Sequence, residues 1–194
     1  MLAEARKAGA RGIQVGSMFA LSSDSGLHPG IHAQLLDGVA HDDLVVHTDP
    51  VASPTGFPFK VVDVSGTMSD AASYQARERL CDLGYLRTPF AKDDGTIDYR
   101  CAGEPVHMYV RKGGVKGETV GRKCLCNGLA AAVGLGQQRR DGYTELPIVT
   151  LGSDLQAPRR MIAIHPEGWT AAEAIDWMLT PAASKLDVTE PSVR

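Results

Sequence analysis

The chain has 194 residues, is 43% hydrophobic and 22% charged, and carries a formal net charge of −3. That length suffices for one sizeable core or two small ones. The slight acidity gives no global field for nucleic acid or an anionic membrane, and no apolar run approaches the roughly 18 residues that a spanning helix needs.

In chain order, Leu2 to Ala8 favours helix, with Gly9 placed to end it. Glu4 comes early and no apolar stretch follows, so this start does not read as a secretory signal. Gly12 to Val15 reads as a short buried strand, and Ser17 is placed to cap a helical turn through Phe19 to Leu21. Pro29 suits the first turn of a helix running to about Leu36. Leu44 to Thr48 and Phe59 to Val64 read as strands on either side of a Pro-punctuated turn. Ser69 is expected to open a helix through Ala72, Ala76 and Leu80, with Gly84 beyond it.

Lys92 to Thr96 contains Asp94-Gly95, a hairpin turn signal. Arg111 to Lys123 is a basic, Gly-rich loop, and Asn127 to Leu135 is a small-residue helix or tight packing segment. Thr170 and Glu173 form a capping box that opens a helix to about Leu179, and the remaining tail is expected to be mobile.

The first segment with chemical meaning is Gly12-Ile13-Gln14-Val15-Gly16-Ser17-Met18-Phe19-Ala20. A strand ending on Gly-Ser before a helix lets backbone approach an anion closely, and the N–H groups of the helical start point at it. The Ser17 hydroxyl can add one hydrogen bond. Taken alone, the same pattern is also an ordinary strand-to-helix turn with a serine cap.

The run Leu2 to Ala20 resembles the last helix and strand of the nitronate monooxygenase family, FMN-dependent β/α barrels. The resemblance continues through Ser53-Pro54-Thr55-Gly56-Phe57-Pro58-Phe59-Lys60 and Cys81-Asp82-Leu83-Gly84-Tyr85-Leu86-Arg87. It includes Gly121-Arg122-Lys123-Cys124-Leu125-Cys126-Asn127-Gly128-Leu129 and Gly134-Leu135-Gly136-Gln137. Nearly the whole chain is covered, in the manner of the longer branch that carries an extension after the barrel.

The fold this implies is α/β. Residues 1–66 would be the C-terminal part of a TIM (β/α)8 barrel of flavin-dependent type, and residues 67–194 a mixed α+β C-terminal extension with Cys-containing loops. Gly16 and Ser17 would contact the FMN phosphate; the family more often has Thr at the second position. Gln14 either faces the barrel interior near the cofactor or is a polar residue satisfied inside the barrel. Thr55 and Gly56 sit on a loop that could fold back over the flavin.

The resemblance implies oxidation of an alkyl nitronate with O2, or NAD(P)H-dependent reduction of a small acceptor such as a quinone. The family's other barrel strands supply the remaining flavin contacts, a glycine pair and a histidine base. A barrel needs about eight strands, so the chain is expected to be an incomplete C-terminal portion that needs the N-terminal barrel portion in cis or in trans. None of His28, His32, His41, His47, His107 and His165 matches the family's base position, and no catalytic residue is assigned. His28 and His32, four apart, suit a metal only with further ligands, and a surface pair is the simpler reading.

The four cysteines, Cys81, Cys101, Cys124 and Cys126, do not form the pattern of a disulfide scaffold, which points to a cytoplasmic compartment. Four thiols match a tetrahedral zinc or iron–sulfur site in number, but only Cys124 and Cys126 form a tight pair. The other reading is four reduced, partly buried thiols. Arg122 and Lys123 flank the Cys124–Cys126 pair and are expected to favour thiolate. With Arg111, Lys112 and Lys116 they form a run suited to an anionic ligand or simply to water. No aromatic interleaving supports nucleic-acid binding. Two readings therefore stand: part of a flavin oxidoreductase, or a non-catalytic metal-binding or partner-binding module retained from one.

Overall fold

The computed structural model describes residues 1–180. The elements in chain order are α1 (Leu2–Lys7), α2 (Ser17–Ala20), α3 (Pro29–His41), β1 (Val46–Asp49), β2 (Phe59–Val62), α4 (Ala71–Ala76), β3 (Thr88–Ala91) and β4 (Ile97–Arg100). They continue with α5 (Val106–Arg111), a 3-10 turn (Lys116–Thr119), α6 (Leu125–Ala132), α7 (Gln156–Ile164) and α8 (Ala171–Leu179). The described residues hold two two-stranded antiparallel sheets, β1-β2 and β3-β4, and no closed barrel. No described helix is long and apolar enough to cross a membrane.

The chain divides into two compact units. One joins Met1–Ser25 to the segment from Asp154 onward; the other is Gly26–Ser153. The boundary expected near Gly66 separates sequence types, and it falls inside the second unit. The tail expected to be mobile lies outside the described residues.

The first unit is helical. α1 ends where expected, with Gly9 at φ +89°. Gly12 to Val15 corrects the sequence reading, since no strand forms there. A strand needs a neighbour to accept its backbone hydrogen bonds, and among the described residues none runs beside it. Ile13 is 36% exposed rather than buried. The α2 cap is also displaced: Gly16 is the N-cap and Ser17 the first helical residue.

Trp169 centres this unit at 1% exposure. Its Nε1 donates to the Met18 carbonyl at 2.9 Å, and its carbonyl accepts from the Ser23 N–H at 2.7 Å and the Ser23 hydroxyl at 3.1 Å. α8 opens with the expected capping box, in which Thr170 Oγ1 accepts from the Glu173 N–H at 3.2 Å and Glu173 Oε2 accepts from the Thr170 N–H at 2.7 Å. α7 was not legible in the sequence.

The second unit packs its core around Ala52, Val61, Met68, Cys124, Leu125 and Ile148. β1 and β2 pair in the register Val46↔Val62 to Asp49↔Phe59. β2 then receives the segment around Ile148, with the Val62 N–H donating to the Val149 carbonyl at 3.0 Å. α6 lies close against that segment, because a Cβ on Gly128 would come within 2.8 Å of the Ile148 side chain. α3 begins at Pro29 as expected but runs on to His41, capped by the His28 ring, which accepts from the Gly30 N–H at 3.3 Å.

α4 starts later than expected, because Asp70 rather than Ser69 accepts from the Ser73 N–H, at 2.9 Å. The Ser69 hydroxyl is drawn instead to the backbone of Val64. α4 also stops at Ala76, short of Leu80, with Arg77 extended. The β3-β4 hairpin turns at Asp94-Gly95 as read, with Asp94 Oδ1 accepting from the Thr96 N–H at 2.9 Å and Gly95 at φ +79°.

Gly114 is required by a close approach. A Cβ there would stand 2.2 Å from the Tyr109 ring, which holds Glu118 through a 2.7 Å hydroxyl hydrogen bond and faces the Arg100 guanidinium at 5.5 Å. Gly114→Ala is expected to push the ring out and cost about 1–3 kcal/mol. A urea midpoint equal to that of the parent chain would contradict this packing.

Candidate functional site

Two groups of residues carry chemistry, one in each unit. In the first unit, Gly16 begins α2 with φ −119° and is exposed. Its carbonyl accepts from the N–H groups of Phe19 at 3.1 Å and Ala20 at 2.9 Å. A Cβ added at Gly16 would meet nothing within 4 Å, so the space beside it is open to a ligand. Ser17 follows, half-buried, and Met18 behind it is fixed through Trp169. Gln14 lies on the same extended stretch and is exposed; with Ile13, Val15, Phe19, Ile175 and Met178 it lines a concavity of about 410 Å³. The structure therefore keeps Gln14, Gly16 and Ser17 on one short stretch, backed by Trp169.

In the second unit, long-range contacts gather three of the four cysteines. Cys81 lies in the loop after α4, Cys101 immediately after β4, and Cys124 caps α6. Arg79, two residues before Cys81, donates to the carbonyls of Thr119 at 2.8 Å and Ala102 at 3.4 Å. Tyr74 on α4 donates to the Arg122 carbonyl at 2.8 Å. Gly103 completes the assembly: a Cβ there would sit 3.1 Å from the Lys123 carbonyl oxygen, so glycine eases the close approach of the Cys101 loop to the Cys124 segment. Cys126 sits half-buried in the first turn of α6. All four are free thiols.

The neighbouring Cys101 thiol and the Arg87 guanidinium bring the Cys81 thiol down to about 6 despite partial burial. The Cys81 thiol and burial push Cys101 up. Burial pushes Cys124 up to about 12, with Glu145 adding to the effect. For Cys124 this runs against the expectation that Arg122 and Lys123 favour thiolate, because those cations have other partners. Arg122 donates to the carbonyls of Val51 at 2.9 Å, Ser53 at 2.5 Å and Glu118 at 3.2 Å. Lys123 pairs with Asp49 at 3.5 Å and lies over the Tyr74 ring at 4.6 Å. Lys112 is likewise taken, by the buried Glu104 carboxylate at 2.9 Å. Three of the basic loop's five cations thus serve the fold.

Sequence reasoning passed over Arg87, Arg79 and the buried pair Arg77–Glu145, whose nearest approach is 3.4 Å. The one local signal was Arg87 in Cys81-Asp82-Leu83-Gly84-Tyr85-Leu86-Arg87, where Gly84 at φ +69° turns the chain so that the guanidinium returns to Cys81. His28 serves as a helix cap, and His47 on β1 meets Asp63 at 3.4 Å. Among the described residues, no group of three or more His, Cys, Asp or Glu side chains is arranged to hold a metal ion. Compared with known proteins, the chain matches no family model, no curated protein and no solved structure.

Proposed function

We propose that the chain is the C-terminal portion of an FMN-dependent oxidoreductase of the nitronate monooxygenase kind. The observation that carries this reading is the stretch Gly12 to Val15, which takes no regular secondary structure. It leads into an open glycine at Gly16 and a short helix at Ser17, and no described strand pairs with it. Backbone groups without a ladder partner need one, and the remaining strands of a β/α barrel would supply it. The space beside Gly16 fits an approaching phosphate, and Gly16 and Ser17 would hold it, with Gln14 near the ring system.

Bound FMN would carry the redox step, taking electrons from an alkyl nitronate, or from NAD(P)H on the way to a small quinone-like acceptor. The chain's own residues would bind and orient the phosphate end; the catalytic base would come from the N-terminal barrel portion, in cis or in trans. A cytoplasmic setting accords with four free thiols.

Ser17→Ala is expected to weaken FMN binding about tenfold in the assembled protein, through loss of one hydrogen bond to a charged phosphate. A flavin titration checks this, and unchanged affinity would remove Ser17 from the site. The reading itself is tested in the native locus by the reading frame upstream of Met1. An in-frame stretch encoding further barrel strands, with a glycine pair after the penultimate one, is the expected result. A stop codon and ribosome-binding site directly before Met1, with no barrel half nearby, would overturn it.

The second reading is a non-catalytic metal-binding or partner-binding module; the described residues hold no three-ligand metal group, so for the metal it rests on the number of cysteines alone. Stoichiometric zinc or iron in the purified chain would support that reading, and its absence would remove the metal.

A further inference from the structure

We propose that Asn127-Gly128 is a modification site gated by folding: closed in the native second unit, open once α6 unwinds, and irreversible in its consequence. Asn127 is the single asparagine of the chain, and a glycine follows it. In such a pair the side-chain amide is readily lost, because glycine has no Cβ to hinder attack by its backbone nitrogen. All the residues involved lie in the second unit.

The step balances. The Gly128 backbone nitrogen gives up its proton and attacks the Asn127 side-chain carbonyl carbon. The amide nitrogen leaves as ammonia, carrying off that proton, and a cyclic imide joins the two residues. Water then opens the ring at either carbonyl, leaving an aspartyl or an isoaspartyl residue at position 127. The sum is a hydrolysis, in which water is consumed, ammonia is released and nothing is oxidised.

The native fold keeps both reacting groups from this step. The Gly128 N–H donates to the Cys124 carbonyl at 2.9 Å as a rung of α6, and the Gly128 carbonyl accepts from the Ile148 N–H at 3.0 Å. Ring closure needs this backbone to leave the helix. The Asn127 side chain is 0% exposed, which shields its carbonyl carbon from base and water.

Packing explains the glycine but not the asparagine. A Cβ at position 128 would come within 2.8 Å of Ile148 and 2.9 Å of Met68. Asn127 Oδ1 and Nδ2, by contrast, are buried without a hydrogen-bond partner among the described residues. A buried amide in that state costs stability rather than adding it.

Neither product fits the site. An aspartyl residue would bury a carboxylate where the amide already lacks a partner, and a buried unpaired charge costs more than a buried amide. An isoaspartyl residue would lengthen the backbone by a methylene in the first turn of α6. Either change keeps Cys124 and Leu125 from rejoining Ala52, Val61, Met68 and Ile148 in the core. A chain that reacts while unfolded is thereby withdrawn from refolding, so the site limits the time the protein can spend unfolded.

The test incubates the 194-residue chain at mildly alkaline pH, in native buffer and in guanidinium chloride. Peptide mass spectrometry reads position 127, and circular dichroism after dilution reads the refolding yield. In denaturant, position 127 should convert, and the yield should fall in step with conversion. In native buffer, conversion should be about a hundredfold slower or more, because it waits on the small open population. Asn127→Ala should keep its refolding yield through the same incubation. Equal conversion in both conditions, no conversion in either, or a converted chain that refolds with the yield of fresh protein would overturn the proposal. A variant that loses its yield at the parent's rate would overturn it too, and the parent chain decides the question where the variant fails to fold.

Discussion

Arg77→Met should destabilise the second unit by about 3–5 kcal/mol at neutral pH, the cost of leaving a buried charge without its partner. The side chains of Arg77 and Glu145 are 1% and 0% exposed and approach to 3.4 Å. Burial raises the Glu145 pKa, and Arg77 pulls it down without cancelling the effect. For a carboxyl raised on folding, protonation favours the folded state. That contribution is full below the unfolded pKa and fades as the pH climbs through the folded one.

Without Arg77 the upward shift grows, so the variant should regain stability on mild acidification, by a larger margin than the parent chain. Urea unfolding at neutral and mildly acidic pH measures this; equal losses at both would contradict a charged Glu145 in the folded parent. Arg77 Nε and Nη2 are buried without a hydrogen-bond partner, so the pair is imperfectly satisfied. The double variant Arg77→Met, Glu145→Leu should therefore recover most of the loss.

Trp169→Ala should cost the first unit about 3–5 kcal/mol, the range for emptying an aromatic site. The ring is 1% exposed, and removing it also strands the Met18 carbonyl, which accepts its Nε1–H at 2.9 Å. Because Met18 lies directly behind Gly16 and Ser17, backbone amides of α2 should exchange with solvent faster in the variant. Trp169→Phe should lose less, keeping most of the buried area and giving up the hydrogen bond. Thermal unfolding and amide exchange read both effects; unchanged exchange at Met18 to Ala20 would show that Trp169 does not hold this corner.

Features set by neighbouring residues were legible in the sequence. The Asp94-Gly95 hairpin, the Thr170–Glu173 capping box and the Pro29 helix start depend on chemistry within four residues, and each formed as read. Caps slipped where two candidates stood side by side: Gly16 replaced Ser17, and Asp70 replaced Ser69 because the Ser69 hydroxyl found the Val64 backbone. α7 escaped because Pro158 sits inside it, at the third helical position, where no intrahelical donor is lost. The strand expected at Gly12 to Val15 depends on a neighbour that local pattern cannot supply.

The candidate sites follow the same division. Gly16 and Ser17 are adjacent in the chain and could be read together. The gathering of Cys81, Cys101 and Cys124 could not, because Arg79, Tyr74 and Gly103 bring their segments together across separate loops. The charge argument for Cys124 failed for a related reason: Arg122 and Lys123 are beside it in sequence, but carbonyls and Asp49 engage their charges in space.

The account centres on the first unit as one part of a flavin barrel. Isolation of the native protein from its source cells, with antibodies to the second unit, followed by measurement of polypeptide mass and bound flavin, tests this most directly. The account predicts FMN in stoichiometric amount, on a polypeptide longer than 194 residues or on a complex with a second chain that supplies the remaining strands. A flavin-free polypeptide of 20.7 kDa with no associated chain would contradict it.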